Sequence, residues 1–223
     1  MIDQKLLAYL EGYVTEKRKK RFLKVLENRT RHFTVVLEDI YQPHNASAVV
    51  RTCDIFGIQD VHTIENRNNN KVSRQVAKGS QKWLTFNRYK ADGNNTLPCL
   101  HALKEKGYQI IATTPHNDSC LLQGFDVSKK TAFVFGVESE GVSDTVLEQA
   151  DGFLKVPMVG FTESLNISVA AAIILQEVSS KLRNSSINWQ LTEEEKKVLY
   201  FSWVQKTIKN VAKIEAYYHQ NLH

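Results

Sequence analysis

The sequence predicts an α/β fold, a mainly parallel sheet flanked by helices, with a helical extension at each end. Three observations carry that prediction. Short β-rich runs recur at residues 33–37, 61–64, 109–112, 132–135 and 152–156, and helix-like segments occupy most of the gaps between them. Strands separated by helices pair in parallel, because the helices supply the crossovers. Finally, 223 residues of which 42% are hydrophobic supply the core of one compact domain, or at most two small ones.

In chain order, residues 16–28 form the first expected helix, with Phe22, Val25 and Leu26 on one side and basic residues around the rest. Such a helix docks through a narrow apolar stripe. The expected core runs over residues 33–183, its strands alternating with helices at 46–56, 73–78, 97–106, 143–149 and 165–183. The asparagine-rich stretch 66–70 and the stretch 91–96 carry turn chemistry without periodicity and read as surface connections. The C-terminal extension, residues 184–223, holds a helix that starts at Thr192 with Glu195 three residues on, a capping box. That helix is expected to run through Val204, Ile208 and Val211 to Tyr218, with Lys206, Lys209 and Lys213 turned away from its apolar stripe.

Lys+Arg of 29 against Asp+Glu of 24 gives a net charge of +5, which permits a polyanionic partner without requiring one. Distribution says more than the sum. Lys17, Arg18, Lys19, Lys20, Arg21, Lys24, Arg29 and Arg31 are opposed only by Glu27, so this N-terminal extension (residues 1–32) is either a solvated face or a set of phosphate contacts. Three cysteines without C-x-x-C spacing exclude a disulfide framework and a cysteine zinc site. His44 and His116 lack carboxylate or thiol companions at ligand spacing, so no metal is expected. No apolar run is long enough for a membrane span, and a reducing, cytoplasmic setting follows.

Three clusters could carry chemistry. In the first, PHNASAVVRT, Asn45 is placed as a helix N-cap. Arg51, six residues on, lies about 240° past a full turn and so off Asn45's face. It is either a snorkelling surface arginine or a guanidinium aimed at a phosphate or a reacting oxygen. The second, FGVESEG, follows a strand and precedes a helix. Its acids would repel a phosphate, so Glu138 either braces the loop or accepts from hydroxyls, arginine or amides. The third, VPMVGFTESLNISVAAAIIL, runs from a strand through a Pro- and Gly-bearing loop into a helix that Ser164 or Asn166 can cap. That loop leaves main-chain groups available to hold a flat ligand.

Taken together and in this order, NASAVVRTCDIFGI, FVFGVESEGVSDTVLEQAD and VPMVGFTESLNISVAAAIIL resemble the three motifs of the SpoU branch of the SPOUT methyltransferases. The similarity covers residues 34–181. It implies a deep trefoil knot at the third motif and S-adenosylmethionine as cofactor, surrounded by Thr113, Gly136, Val156, Met158 and Leu165. It also implies that Arg51 acts on a ribose 2′-OH, as base or as phosphate and alkoxide stabiliser, with Asn45, Glu138, Ser164 and Asn166 arranging the site. A homodimer with sites near its interface follows from the same resemblance. The basic N-terminal helix and KGSQKW at 78–83 look most like the members that methylate the D-loop guanosine at tRNA position 18. On that reading Lys17, Arg18, Lys19, Lys20, Arg21, Arg29 and Arg31 touch tRNA. The alternatives are 2′-O-methylation of ribosomal RNA or of the tRNA anticodon loop, or a non-catalytic RNA-binding knot protein. The chain departs from the pattern after the third motif, where only Lys181 and Arg183 precede Asn184-Ser185-Ser186.

Overall fold

The structure is a computed structural model that describes residues 2–68, 73–114, 120–138, 140–162 and 164–220. It divides into two compact units, Thr30–Trp189 and a helical unit made of Met1–Arg29 with Gln190–His223.

The larger unit is built on β1 (Phe33–Glu38), β2 (Asp60–Ile64), β3 (Thr85–Tyr89), β4 (Gln109–Thr113), β5 (Cys120–Leu121), β6 (Thr131–Phe135) and β7 (Gly152–Lys155). Their order is β3-β2-β1-β6-β4-β7-β5, and every pairing is parallel. β1 and β6 lie at the centre and are buried along their whole length, as expected for apolar runs covered on both faces. Two strands go beyond the expected five. β3 is a half-buried edge strand whose sequence, TFNRY, is too polar for a buried run, and β5 is only two residues long.

Helices α3 (Pro43–Phe56) and α7 (Ile167–Arg183) pack on each other over one face of the sheet. Val49, Val50 and Cys53 of α3 meet Ala171, Ile174 and Val178 of α7 and the β1 residues Phe33, Val35 and Leu37 in one apolar cluster. The short α4 (Arg74–Ala77) and the 3₁₀ turn Ser80–Lys82 also pack on α3. α5 (Thr96–Glu105) and α6 (Asp144–Gln149) cover the opposite face, where Leu100, Leu103 and Val146 meet Val36, Ile110 and Val134. Alternation along β1 thus feeds both cores.

α3 starts three residues before the expected position, with Pro43 in its first turn and Gln42 at the N-cap. Proline is preorganised for a helix start and has no N–H to leave unpaired. Asn45 is therefore not the cap but lies inside the first turn.

In the helical unit, α1 (Gln4–Glu11) was not expected from the sequence; its N-cap Asp3 accepts the amides of Lys5 and Leu6. α2 (Glu16–Leu26) is capped by Thr15 and buries Phe22 and Leu26. Phe22 packs edge-on against Trp203 and Tyr200. The capping box of Thr192 and Glu195 opens α8 (Glu193–Thr207) as expected. The single long C-terminal helix is not observed: an extended Ile208 and a left-handed Asn210 (φ 59°) separate α8 from α9 (Val211–Gln220). Asparagine tolerates that conformation better than most residues do.

Two residues of the expected phosphate-binding run are engaged elsewhere. Arg29 is 1% exposed, with its guanidinium over the Trp203 ring at 5.4 Å. Arg31, in the larger unit, pairs with Asp60 at 3.0 Å. Lys17, Arg18, Lys20 and Arg21 are exposed, and Lys19 pairs with Glu16 one turn earlier.

Candidate active site

One chain of hydrogen bonds joins the three sequence clusters. Asn166 caps α7 by accepting from the amide (2.9 Å) and hydroxyl (2.6 Å) of Ser168, which leaves its amide nitrogen to donate to Asn45 Oδ1 at 3.2 Å. Asn45 in turn donates to Glu138 Oε1 at 2.7 Å. The Glu138 carboxylate also accepts the amides of Tyr41 (3.3 Å) and Gln42 (3.4 Å) at the start of α3. Both asparagines are thereby held in one orientation, and three donors converge on a single carboxylate. Glu138 is an anchor for the segment entering α3.

The loop that carries Glu138 is itself tightly held. Val137 and Gly141 exchange both backbone hydrogen bonds at 2.8 Å. A Cβ on Gly136 would lie 2.0 Å from the Gly141 carbonyl oxygen, so only glycine fits there. Beyond the loop, Ser143 caps α6, and its amide and hydroxyl both donate to Glu38 (2.9 and 2.8 Å), which also accepts from Thr96 at 2.7 Å. Arg67 pairs with Glu140 at 2.8 Å. Sequence reasoning missed this brace; its one signal was a carboxylate, Glu38, closing an otherwise apolar strand. A polar cavity of ≈ 540 Å³ opens here between Glu38, Asp39, Arg67 and Glu140. Asp39, left-handed at φ 51°, turns its carboxylate onto the amides of Asn66, Arg67 and Asn68, so these carboxylates already have donors.

Arg51 and Ser164 stand outside the network. Both are exposed, and neither side chain has a hydrogen bond or ion pair among the described residues. For Arg51 the cause is the six-residue spacing from Asn45, which sends its side chain off the buried face. A solvent-facing guanidinium on the helix that carries Asn45 is available to an anionic ligand.

The residues expected around a cofactor fall at neighbouring strand ends. Thr113 ends β4, Gly136 follows β6, and Val156 follows β7, and these three strands are adjacent in the order β6-β4-β7. Ligands in open α/β sheets bind at this carboxyl edge. Thr113 is turned inward, donating to the Val134 carbonyl at 2.9 Å. From Met158 to Leu165 the described residues make no backbone hydrogen bond with one another or with the rest of the described chain. Their amides and carbonyls are therefore open to a ligand, and the arrangement fits a flat cofactor held mainly by main chain.

Among the described residues no group of three or more His, Cys, Asp or Glu could hold a metal ion. His44 is exposed on α3, whereas His116, and Ser139 of the second cluster, lie outside the described residues. No helix of the described residues is long and apolar enough to cross a membrane.

The model of the SpoU rRNA Methylase family matches residues 32–176. A tRNA (guanosine(18)-2'-O)-methyltransferase of Borreliella burgdorferi is 41% identical over 211 residues, covering 95% of either chain. A protein of the same name from Thermus thermophilus is 39% identical over 167 residues, 73% of this chain and 82% of its own. Among solved structures, the A. aeolicus TrmH/SpoU tRNA modifying enzyme superposes with a TM-score of 0.78 at 33% identity, over 87% of this chain and 98% of its own.

Proposed function

The chain belongs to the SpoU methylase family, and from that premise we propose that it methylates the ribose 2′-OH of the D-loop guanosine at tRNA position 18, with S-adenosylmethionine as donor. The hydrogen-bond chain from Asn166 through Asn45 to Glu138 carries this reading. It ties the loop expected to hold the cofactor to the helix that bears Arg51. When bound, S-adenosylmethionine supplies a methyl group on a cationic sulfur. The chain's own task is to hold a ribose oxygen in line with that methyl and to help its proton leave.

Glu138 accepts from Asn45, Tyr41 and Gln42, and its role in this reading is to position the start of α3. Arg51, exposed and uncommitted among the described residues, is the group presented to the 2′-oxygen and its flanking phosphate. Asn166 orders the turn next to the cofactor through its bonds to Ser168 and Asn45, the exposed Ser164 presents its hydroxyl there, and Thr113, Gly136, Val156, Met158 and Leu165 line it. Lys17, Arg18, Lys19, Lys20 and Arg21 serve as tRNA phosphate contacts.

The proposal extends to a homodimer. Leu165, Val169 and Ile173 recur every fourth residue as exposed apolar side chains, and Val159 and Phe161 are exposed in the loop before them. Exposed apolar side chains grouped along one helix edge and the loop before it suit an interaction surface, and a patch that meets its own copy yields a two-fold dimer. The knotted chain path is proposed on the order of strands, since β7 sits between β4 and β5, both of which precede it in the chain. A cytoplasmic location is proposed because tRNA is the substrate and none of the three cysteines forms a disulfide.

Nucleoside mass spectrometry of unmodified tRNA, incubated with the protein and S-adenosylmethionine, tests the reading. The expected product is 2′-O-methylguanosine, lost when the D-loop guanosine is replaced. It should fall by about 100-fold or more in Arg51→Ala with cofactor affinity intact. Methylated ribosomal RNA or pyrimidine would move the substrate, and full activity in Arg51→Ala would remove Arg51 from the chemistry.

A further inference from the structure

The segment from Asn66 to Ala91 holds seven Lys and Arg residues, Arg67, Lys71, Arg74, Lys78, Lys82, Arg88 and Lys90, and no Asp or Glu. It is as one-sided as the N-terminal run, and it belongs to the unit that carries the candidate active site. We propose that its exposed cations on the α3 side of the sheet form a second RNA-backbone surface that leads a nucleic-acid strand to Arg51. This inference rests on the RNA-substrate reading above.

Placement supports it. α4 and the 3₁₀ turn Ser80–Lys82 both pack on α3, and Lys78 and Lys82 stand exposed on them. Lys78 adopts a left-handed conformation (φ 50°) followed by Gly79 at φ 87°. This sharp reversal between the two short helices is uncommon for lysine. Lys82 spreads its ammonium 5.2 Å from the centre of the Trp83 ring.

Arg88 reaches the same side by strand alternation. Phe86 packs into the core beneath α3 and α7, so Arg88, two residues on, projects to that face too. It is exposed, in register with the buried Thr63 of β2, which is itself in register with Leu37 of β1. Arg88 thus stands near the carboxyl end of β3, on the face that bears α3.

Arg67 and Lys90 have partners in Glu140 and Glu65. Lys78 and Arg88 have none among the described residues, so their charges are open to another polyanion. Lysines and arginines spaced along one segment with no acid interleaved in its sequence match the repeating charge of a phosphodiester backbone. They contact every nucleotide alike and confer affinity rather than base choice.

The test compares the wild type with the triple variant Lys78→Asn, Lys82→Gln, Arg88→Gln. Asparagine is chosen at 78 because it accepts the left-handed backbone. Binding of an unmodified tRNA transcript is measured by fluorescence anisotropy over a series of salt concentrations, beside S-adenosylmethionine affinity and steady-state methyl transfer. Each lost phosphate contact should lower the slope of log affinity against log salt by about one, so the triple variant should lose about three. KM for tRNA should rise by about tenfold or more while kcat and cofactor affinity stay within about twofold. A structural defect alone would not produce that combination. Should the triple variant misfold, Arg88→Gln alone should still lower the slope by about one.

An unchanged slope in a folded variant, with the wild type methylating tRNA, overturns the surface and leaves the proposed reaction standing. A reduced slope in a chain whose wild type methylates no tRNA supports the surface and removes the substrate assignment.

Discussion

Asn45 is the residue on which the site turns, because its amide is read at both ends. Its oxygen accepts from Asn166 and its nitrogen donates to Glu138 at 2.7 Å, and with 7% exposure neither bond is easily replaced by water. Asn45→Asp keeps size and shape but sets a second carboxylate against Glu138. Two carboxylates at that separation cannot both ionise, so one is pushed to a higher pKa. Methyl transfer in this variant should drop by about 100-fold at neutral pH and recover in part under mildly acidic conditions, where a shared proton restores the donor. Rate against pH for both proteins measures it; equal neutral rates would show that the bond does not position the site. The residue types were visible in the sequence, but the geometry was only half legible. Asn45 reads locally as a cap, and only the pairing of β1 with β6 reveals that the residues after both strands meet. Arg29 and Arg31 show the converse limit, since nothing local distinguishes a phosphate-seeking arginine from one bound to Trp203 or Asp60.

At the level of elements, apolar continuity made β1, β2, β4, β6 and β7 readable, and its absence hid β3. That polar edge has a further consequence. His62 of β2 is 2% exposed, stacked on Tyr89 at 6.0 Å and set 3.5 Å from Asn87 of β3. Burial, with a smaller contribution from the Lys106 charge, lowers its pKa to about 4. The unfolded chain titrates the same group near ~6.5. Between these values the unfolded state holds the proton and the folded state does not, so stability is full above about pH 6.5 and is lost as pH falls towards about 4. The loss should approach about 3 kcal/mol. His62→Phe should abolish this part of the acid limb, read as urea midpoints over that pH range. Parallel profiles for the two proteins would mean that His62 is not the group responsible. The left-handed Asn210 was equally hidden, because a break between two helices that share an apolar period leaves no gap in the pattern.

For the whole molecule, the question is what covers the apolar edge of α7. A buried helix explains Ala171, Ile174, Leu175 and Val178, but not Val169 and Ile173, which are 45% and 39% exposed. Leaving Leu165, Val169, Ile173 and the preceding Phe161 in water forgoes about 25 cal/mol for each Å² that could be covered. A second copy of the chain brings the same patch and needs to cover roughly 800 Å² on each partner for a stable dimer. Because this edge begins at Asn166, the dimer contact would reach the loop between Val156 and Leu165 and hold it in shape. Val169→Glu with Ile173→Glu would put like charges across the proposed two-fold contact and remove its apolar centre, while both positions face solvent in the isolated chain. The variant should therefore keep its circular dichroism spectrum yet elute as a monomer by light-scattering chromatography. Its methyl transfer should be lost in step with the dimer, regained in neither case by added S-adenosylmethionine. A dimeric variant would place the interface elsewhere, and a fully active monomer would show that one chain completes the site alone.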